Sequence, residues 1–171
     1  MKWGEMMPKV ALVMGSDSDF PQLEACVKTL KQFGVEVDAR VISAHRTPDE
    51  AHAFAVGAAE AGYEVILAAA GKAAHLAGVL AAFTVMPVIG IPMPATQLDG
   101  MDALLSMVQM PPGIPVATVT IGGAVNAALL AVQILSVKYT DLRQKLIDHR
   151  VAMRAGVIEK DKQVAQRAAA L

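Results

Sequence analysis

Cysteine is almost missing from this chain: Cys26 stands alone, which excludes a disulfide framework or a cysteine metal site within one chain and reads as a cytoplasmic protein. An excess of charge of either sign is missing too, since 15 basic residues face 16 acidic ones for a formal net charge of -1. No global attraction to nucleic acid or to an anionic membrane follows, and any phosphate binding must be local. Met1 to Pro8 offers too short an apolar stretch for a signal peptide. The uncharged run from Ala103 to Val137 is interrupted by Pro111, Pro112, Pro115 and Gly122-Gly123, which excludes a membrane span. There is no tandem repeat and no low-complexity linker. What the chain does have is apolar residues, 54% of the total with a mean hydropathy of +0.44, so apolar surface is expected to be buried between subunits of a homo-oligomer.

The 171 residues fit one domain, with a core over about 9–135 and a helical extension over about 138–169. Val10 to Met14 reads as a buried strand ending at Gly15, and Leu23, Cys26, Val27 and Leu30 follow at helical spacing before Gly34. Val35 to Ile42 is the second strand, Thr47 to about Ala61 a helix, and Glu64 to Ala70 the third strand. Thr47, Pro48 and Glu50 predict a helix start with a T-x-x-E capping box. The alternation continues through a helix at His75 to Phe83, a strand at Val88 to Ile91, a helix at Met101 to Gln109, a strand at Val116 to Ile121 and a helix at Ala124 to Leu135. Five short apolar strands alternating with helices imply a parallel sheet covered on both faces. From Lys138 onward eight basic and four acidic residues leave a long helix at net +4, a solvated or subunit-contacting face.

Chemistry-bearing residues gather at the ends of the first three strands, where ligands collect in open α/β sheets. Gly15-Ser16-Asp17-Ser18-Asp19 opens the first helix, where backbone N–H groups and the helix dipole favour an anion. The segment lacks the Gly-Lys-Ser/Thr of a P-loop and the G-x-G-x-x-G spacing, and helix capping by Ser18 or Asp19 is the plainer alternative. Asp19 would repel phosphate, so a ribose diol is its better partner. Ser43-Ala44-His45-Arg46 puts a proton carrier beside a fixed cation whose guanidinium suits phosphate. Gly71-Lys72-Ala73-Ala74-His75-Leu76 adds a second imidazole among small residues. The spacing of His45, His52 and His75 matches no zinc motif, and His52 and His149 read as surface residues within helices. The three turns together describe a crevice for a phosphorylated small molecule.

These motifs, with Val108-Gln109-Met110-Pro111, Gly113-Ile114-Pro115-Val116 and Asn126-Ala127-Ala128-Leu129-Leu130-Ala131, resemble the PurE family of purine biosynthesis, N5-carboxyaminoimidazole ribonucleotide mutases, over about Lys9 to Leu135. The resemblance implies a flavodoxin-like three-layer αβα fold, a homo-octamer with sites between subunits, and no metal or organic cofactor. It implies that a carboxylate moves from the exocyclic nitrogen of a ribonucleotide to ring carbon 4 through carbon dioxide. His45 would be the general acid and base; Ser16, Ser18, Ser43 and Arg46 would hold the ribose phosphate, Asp19 the ribose hydroxyls, and Gly71 to Leu76, with His75, the imidazole and carbon dioxide end. Gly15, Asp17 and Ala44 complete the expected substrate-binding set. The family run Gly-Ala-Gly-Gly-Ala-Ala-His-Leu-Pro-Gly is here Ala69 to Gly78 with Ala69, Lys72 and Ala77 departing from it. Lys72 is expected to point away from the crevice and leave the chemistry in place. The alternatives are a carboxylase using free carbon dioxide, which the basic residue after Gly71 resembles, and a nucleotide-binding module without turnover.

Overall fold

The computed structural model describes residues 7–171. Five parallel strands, β1 (Lys9–Met14), β2 (Glu36–Val41), β3 (Val65–Ala70), β4 (Val88–Pro92) and β5 (Ala117–Thr118), form one sheet in the order β2-β1-β3-β4-β5. That order carries a switch point between β1 and β3, the place where a doubly wound sheet opens a crevice at its carboxyl edge. Strand side chains alternate between faces, and the pattern is visible residue by residue. Val10, Leu12 and Met14 with Val65, Leu67 and Ala69 pack on one face; Ala11 and Val13 with Ile66, Ala68 and Ala70 pack on the other. Helices α1 (Phe20–Phe33) and α5 (Ala124–Leu135) cover the first face, and α2 (Pro48–Gly57), α3 (Leu76–Ala82) and α4 (Met101–Val108) the second, giving the three-layer flavodoxin-like arrangement. The long helix α6 (Thr140–Ala169) buries only Leu142, against the α1/α5 layer. None of the described helices is long and apolar enough to cross a membrane.

Local chemistry explains most boundaries. Gly34 ends α1 at φ +79°, its N–H donating to the Leu30 and Lys31 carbonyls, a left-handed cap that a side chain would strain. Cys26 is fully buried in α1, and burial pushes its thiol up to about 12, so it is an inert packing residue. Three expectations are corrected. β2 is an edge strand with Glu36, Ala39, Arg40 and Val41 exposed and Val37 and Asp38 half-buried, so charged residues are tolerated there. β5 pairs over two residues only. Helix α2 stops at Gly57 rather than near Ala61, and its capping box does not form: the Thr47 hydroxyl accepts from the Ser43 N–H at 2.9 Å and donates to the Ser43 carbonyl at 3.0 Å. Thr47 therefore ties off the loop that carries His45 and Arg46 instead of capping the helix.

Candidate active site

A cavity of about 710 Å³ opens at the carboxyl edge of the sheet, between the loops that follow β1, β2, β3 and β4. Each loop begins where a strand's ladder ends. The Gly15 N–H donates to the Ala69 carbonyl at 3.1 Å and the Ile42 N–H to the Met14 carbonyl at 2.9 Å, so the loops leave a rigid rim.

The first loop supplies Gly15, Ser16, Ser18 and Asp19. Ser16 caps the short turn Asp17–Asp19 that leads into α1: its Oγ accepts from the Ser18 N–H at 3.3 Å and from the Ser18 hydroxyl at 2.8 Å. Neither Ser18 nor Asp19 performs the capping that the sequence allowed. The Asp19 N–H donates to the Ser16 carbonyl and the Phe20 N–H to the Asp17 carbonyl, so two of the amides expected to receive an anion are already engaged. The two hydroxyls are engaged as well, Ser18 donating to Ser16 and Ser16 to Asp17 Oδ1 at 3.3 Å, so each must turn to donate to a ligand. Burial, and then the charge of Asp17, raise the Asp19 carboxyl above its ordinary value.

That shift has a stability consequence with a definite sign. A raised carboxyl keeps its proton in the folded chain at pH values where the unfolded chain has lost it, so stability falls as pH rises from near 3.8 through the raised value and stays lowered above it. Asp19→Asn is therefore expected to melt higher than the parent at pH 7, with the gap closing toward pH 3. Thermal melts at both pH values check this; no gain at pH 7 would show that Asp19 bears no such cost.

The second loop supplies Ser43, Ala44, His45 and Arg46. The guanidinium crosses to the first loop, where Nη2 donates to the Gly15 carbonyl at 2.7 Å, while the Arg46 N–H donates to Ser43 Oγ at 3.2 Å. A fork with five N–H groups that spends one on Gly15 is oriented and keeps donors for an anion. The third loop supplies Gly71, Lys72, Ala73, His75 and Leu76. His45 Nε2 lies 2.9 Å from His75 Nδ1, with the rings edge to face at 5.0 Å between centroids. One of the two nitrogens must carry the proton and the other its lone pair, so the pair cannot hold two protons at this contact. Parting the rings frees His45 Nε2 for a ligand. His45, Arg46 and His75 are all exposed in the single chain.

Asp17 and Ala74 lie outside the cavity lining, contrary to the sequence reading; Ala74 is fully buried in the layer of α2 and α3. Lys72 borders the cavity with the rest of the third loop. Its backbone sits at φ +57°, a left-handed conformation that costs a non-glycine residue about 1 kcal/mol or more. Ala69 and Ala77 are fully buried in the two core layers and touch the site only through their neighbours. His52 stacks edge-on to Phe83 at 4.5 Å and His149 on Phe33 at 5.7 Å, both outside the cavity. The sequence reading missed the fourth loop, Met93 to Gln97, and Ala70. The signal available for that loop was its place after a strand bounded by Pro92, at the same edge as the other three. Among the described residues no cluster of three or more His, Cys, Asp or Glu is arranged to hold a metal ion.

Comparison with known proteins adds independent support. A family model described as AIR carboxylase matches residues 9–156. The chain is 57% identical over 148 residues to an N5-carboxyaminoimidazole ribonucleotide mutase of Pyrococcus abyssi, an alignment covering 86% of this chain and 85% of that one. It is 49% identical over 164 residues to the protein of the same name from Mycobacterium tuberculosis, covering 96% and 94%. Among solved structures, Treponema denticola PurE superimposes with a TM-score of 0.83 at 30% identity, over 91% of this chain and 98% of that one.

Proposed function

The chain belongs to the AIR carboxylase family, and on that premise we propose that it is an N5-carboxyaminoimidazole ribonucleotide mutase. The observation that carries the reading is the contact of His45 with His75 in a cavity whose rim also presents an oriented Arg46. The substrate's phosphate is assigned to Arg46 with the hydroxyls of Ser16, Ser18 and Ser43, and its ribose diol to Asp19. The imidazole then reaches the third loop.

The reaction balances on one proton. Breaking the bond between the carboxyl carbon and the exocyclic nitrogen releases carbon dioxide and leaves the electron pair on nitrogen, which takes a proton from the His45 imidazolium. Ring carbon 4 attacks the carbon dioxide, forming the new carbon-carbon bond, and the neutral His45 removes the hydrogen from carbon 4. An imidazole does both jobs near neutral pH because neither protonation state is costly to reach. His75 orients His45 through the 2.9 Å contact, and the ring parts from it to meet the ligand. Purified protein given the N5-carboxylated ribonucleotide should form the 4-carboxylated product without added bicarbonate. Activity confined to aminoimidazole ribonucleotide plus bicarbonate would assign a carboxylase instead, and binding without turnover a non-catalytic module.

Retaining carbon dioxide requires a closed pocket, whereas His45, Arg46 and His75 are exposed in one chain. This supports an oligomer, an octamer by family resemblance, in which neighbours complete the site. Apolar residues left exposed on α4 and α6, including Leu105 at 50%, Val151 at 64% and Val157 at 66%, support the same reading. Light scattering at micromolar concentration should give the octamer mass, and a fully active monomer would overturn both the assembly and the shared site.

A further inference from the structure

The product of the proposed reaction is anionic at two ends, the phosphate and the ring carboxylate, and the cavity is bordered by two basic residues on loops that follow different strands. Arg46 follows β2 and is anchored to Gly15 beyond β1. Lys72 follows β3, with no hydrogen bond or ion pair to another described residue. In the order β2-β1-β3 their loops follow strands two spacings apart, about 10 Å, with the Arg46 guanidinium drawn back over β1 by Gly15. The two cations thus reach the cavity from different strand ends, as the two anionic ends of a carboxylated ribonucleotide require. Resting on the mutase reading, we propose that Lys72 is a specificity residue that binds the carboxylate of the carboxylated imidazole ribonucleotide, at the end of the cavity opposite Arg46.

Three observations converge. Lys72 holds a left-handed backbone at φ +57°, a conformation glycine adopts freely, so the loop tolerates strain to carry a cationic side chain at this point. His75 lies three residues further along the same loop and contacts His45, so the loop that carries the lysine also reaches the proton-transferring pair. The rest of that loop's lining, Gly71, Ala73 and Leu76, offers no charged side chain. An ammonium there offers three donors to a carboxylate while His45 moves the proton.

The test titrates the intact protein, Lys72→Met and Lys72→Arg with two ribonucleotides that differ only in the carboxylate: 5-aminoimidazole ribonucleotide and its 4-carboxy derivative. Loss of one charge-assisted contact should weaken binding of the carboxylated ligand to Lys72→Met by about 10-fold or more, while the uncarboxylated ligand binds as before and Lys72→Arg retains the preference. Unchanged binding of the uncarboxylated ligand also shows that the variant is folded. Equal losses for both ligands, or no loss for either, would overturn the assignment. If the unsubstituted protein turns over substrate while Lys72→Met matches it on both ligands, only the role of Lys72 fails; if the unsubstituted protein binds neither ribonucleotide, the mutase reading fails and takes this assignment with it.

Discussion

His45→Asn is expected to lower turnover by about 100-fold or more while leaving ribonucleotide affinity close to that of the parent protein, the scale on which a general acid and base contributes. Asparagine keeps a polar side chain of similar reach but has no proton to exchange near neutral pH. The affinity should survive because phosphate and ribose are assigned to other side chains, and because His45 is exposed rather than part of the packed layers. Loss of the ring contact to His75 is a local change at the rim, 30 residues distant in sequence and outside both core clusters. Single-turnover kinetics together with equilibrium binding separates the two effects. Comparable turnover in the variant would remove His45 from the mechanism, and a parallel loss of affinity and turnover would make it a binding group.

Arg46→Leu is expected to produce the largest binding defect. A guanidinium held by the Gly15 carbonyl at 2.7 Å is oriented before the ligand arrives, so little side-chain entropy is lost on forming further contacts. Removing a charge-assisted contact of about 1.5 to 3 kcal/mol corresponds to roughly 10-fold to 100-fold in affinity. The loss should fall on the ribonucleotide and largely spare the dephosphorylated nucleoside. Titration of both ligands against both proteins decides the matter, and equal losses would reject phosphate as the partner of Arg46. Folding should be little affected, since the side chain is exposed and the loop remains tied by Thr47 to Ser43.

The architecture was legible wherever burial and sequence pattern coincide. Val10 to Met14 and Val65 to Ala70 are buried on both faces and read as unbroken apolar runs, and Gly34 marked the end of α1 because its left-handed φ is glycine's natural territory. The pattern failed where tertiary context overrode it. Thr47 had the residue type of a cap and a glutamate three positions on, yet its hydroxyl found closer partners in the Ser43 backbone, and local spacing carries no information about that competition. The segment from Val116 to Ile121 has the apolar character of a strand, but the β4 ladder pairs with only two of its residues.

The site was legible in proportion to the chemistry that its residues carry. Histidine, arginine, serine and aspartate at strand ends flagged three loops, and those loops do share one cavity. The fourth loop, Met93 to Gln97, carries no ionisable side chain and stayed invisible until the strand order put it beside the third. Lys72, the one charged residue of the third loop apart from His75, borders the same cavity with its backbone at φ +57°.

If the carboxylate is lost and recaptured within one closed site, with His45 moving the proton, the migrating carbon must stay with the molecule it left. The direct test is turnover of the N5-carboxylated ribonucleotide labelled with carbon-13 in the migrating carboxylate, in a large excess of unlabelled bicarbonate. Retention of the label at ring carbon 4 of the product is the predicted result. Product formed with the label washed out would mean that carbon dioxide reaches the ring from solution, which would contradict the mutase and assign the chain to the carboxylase reaction.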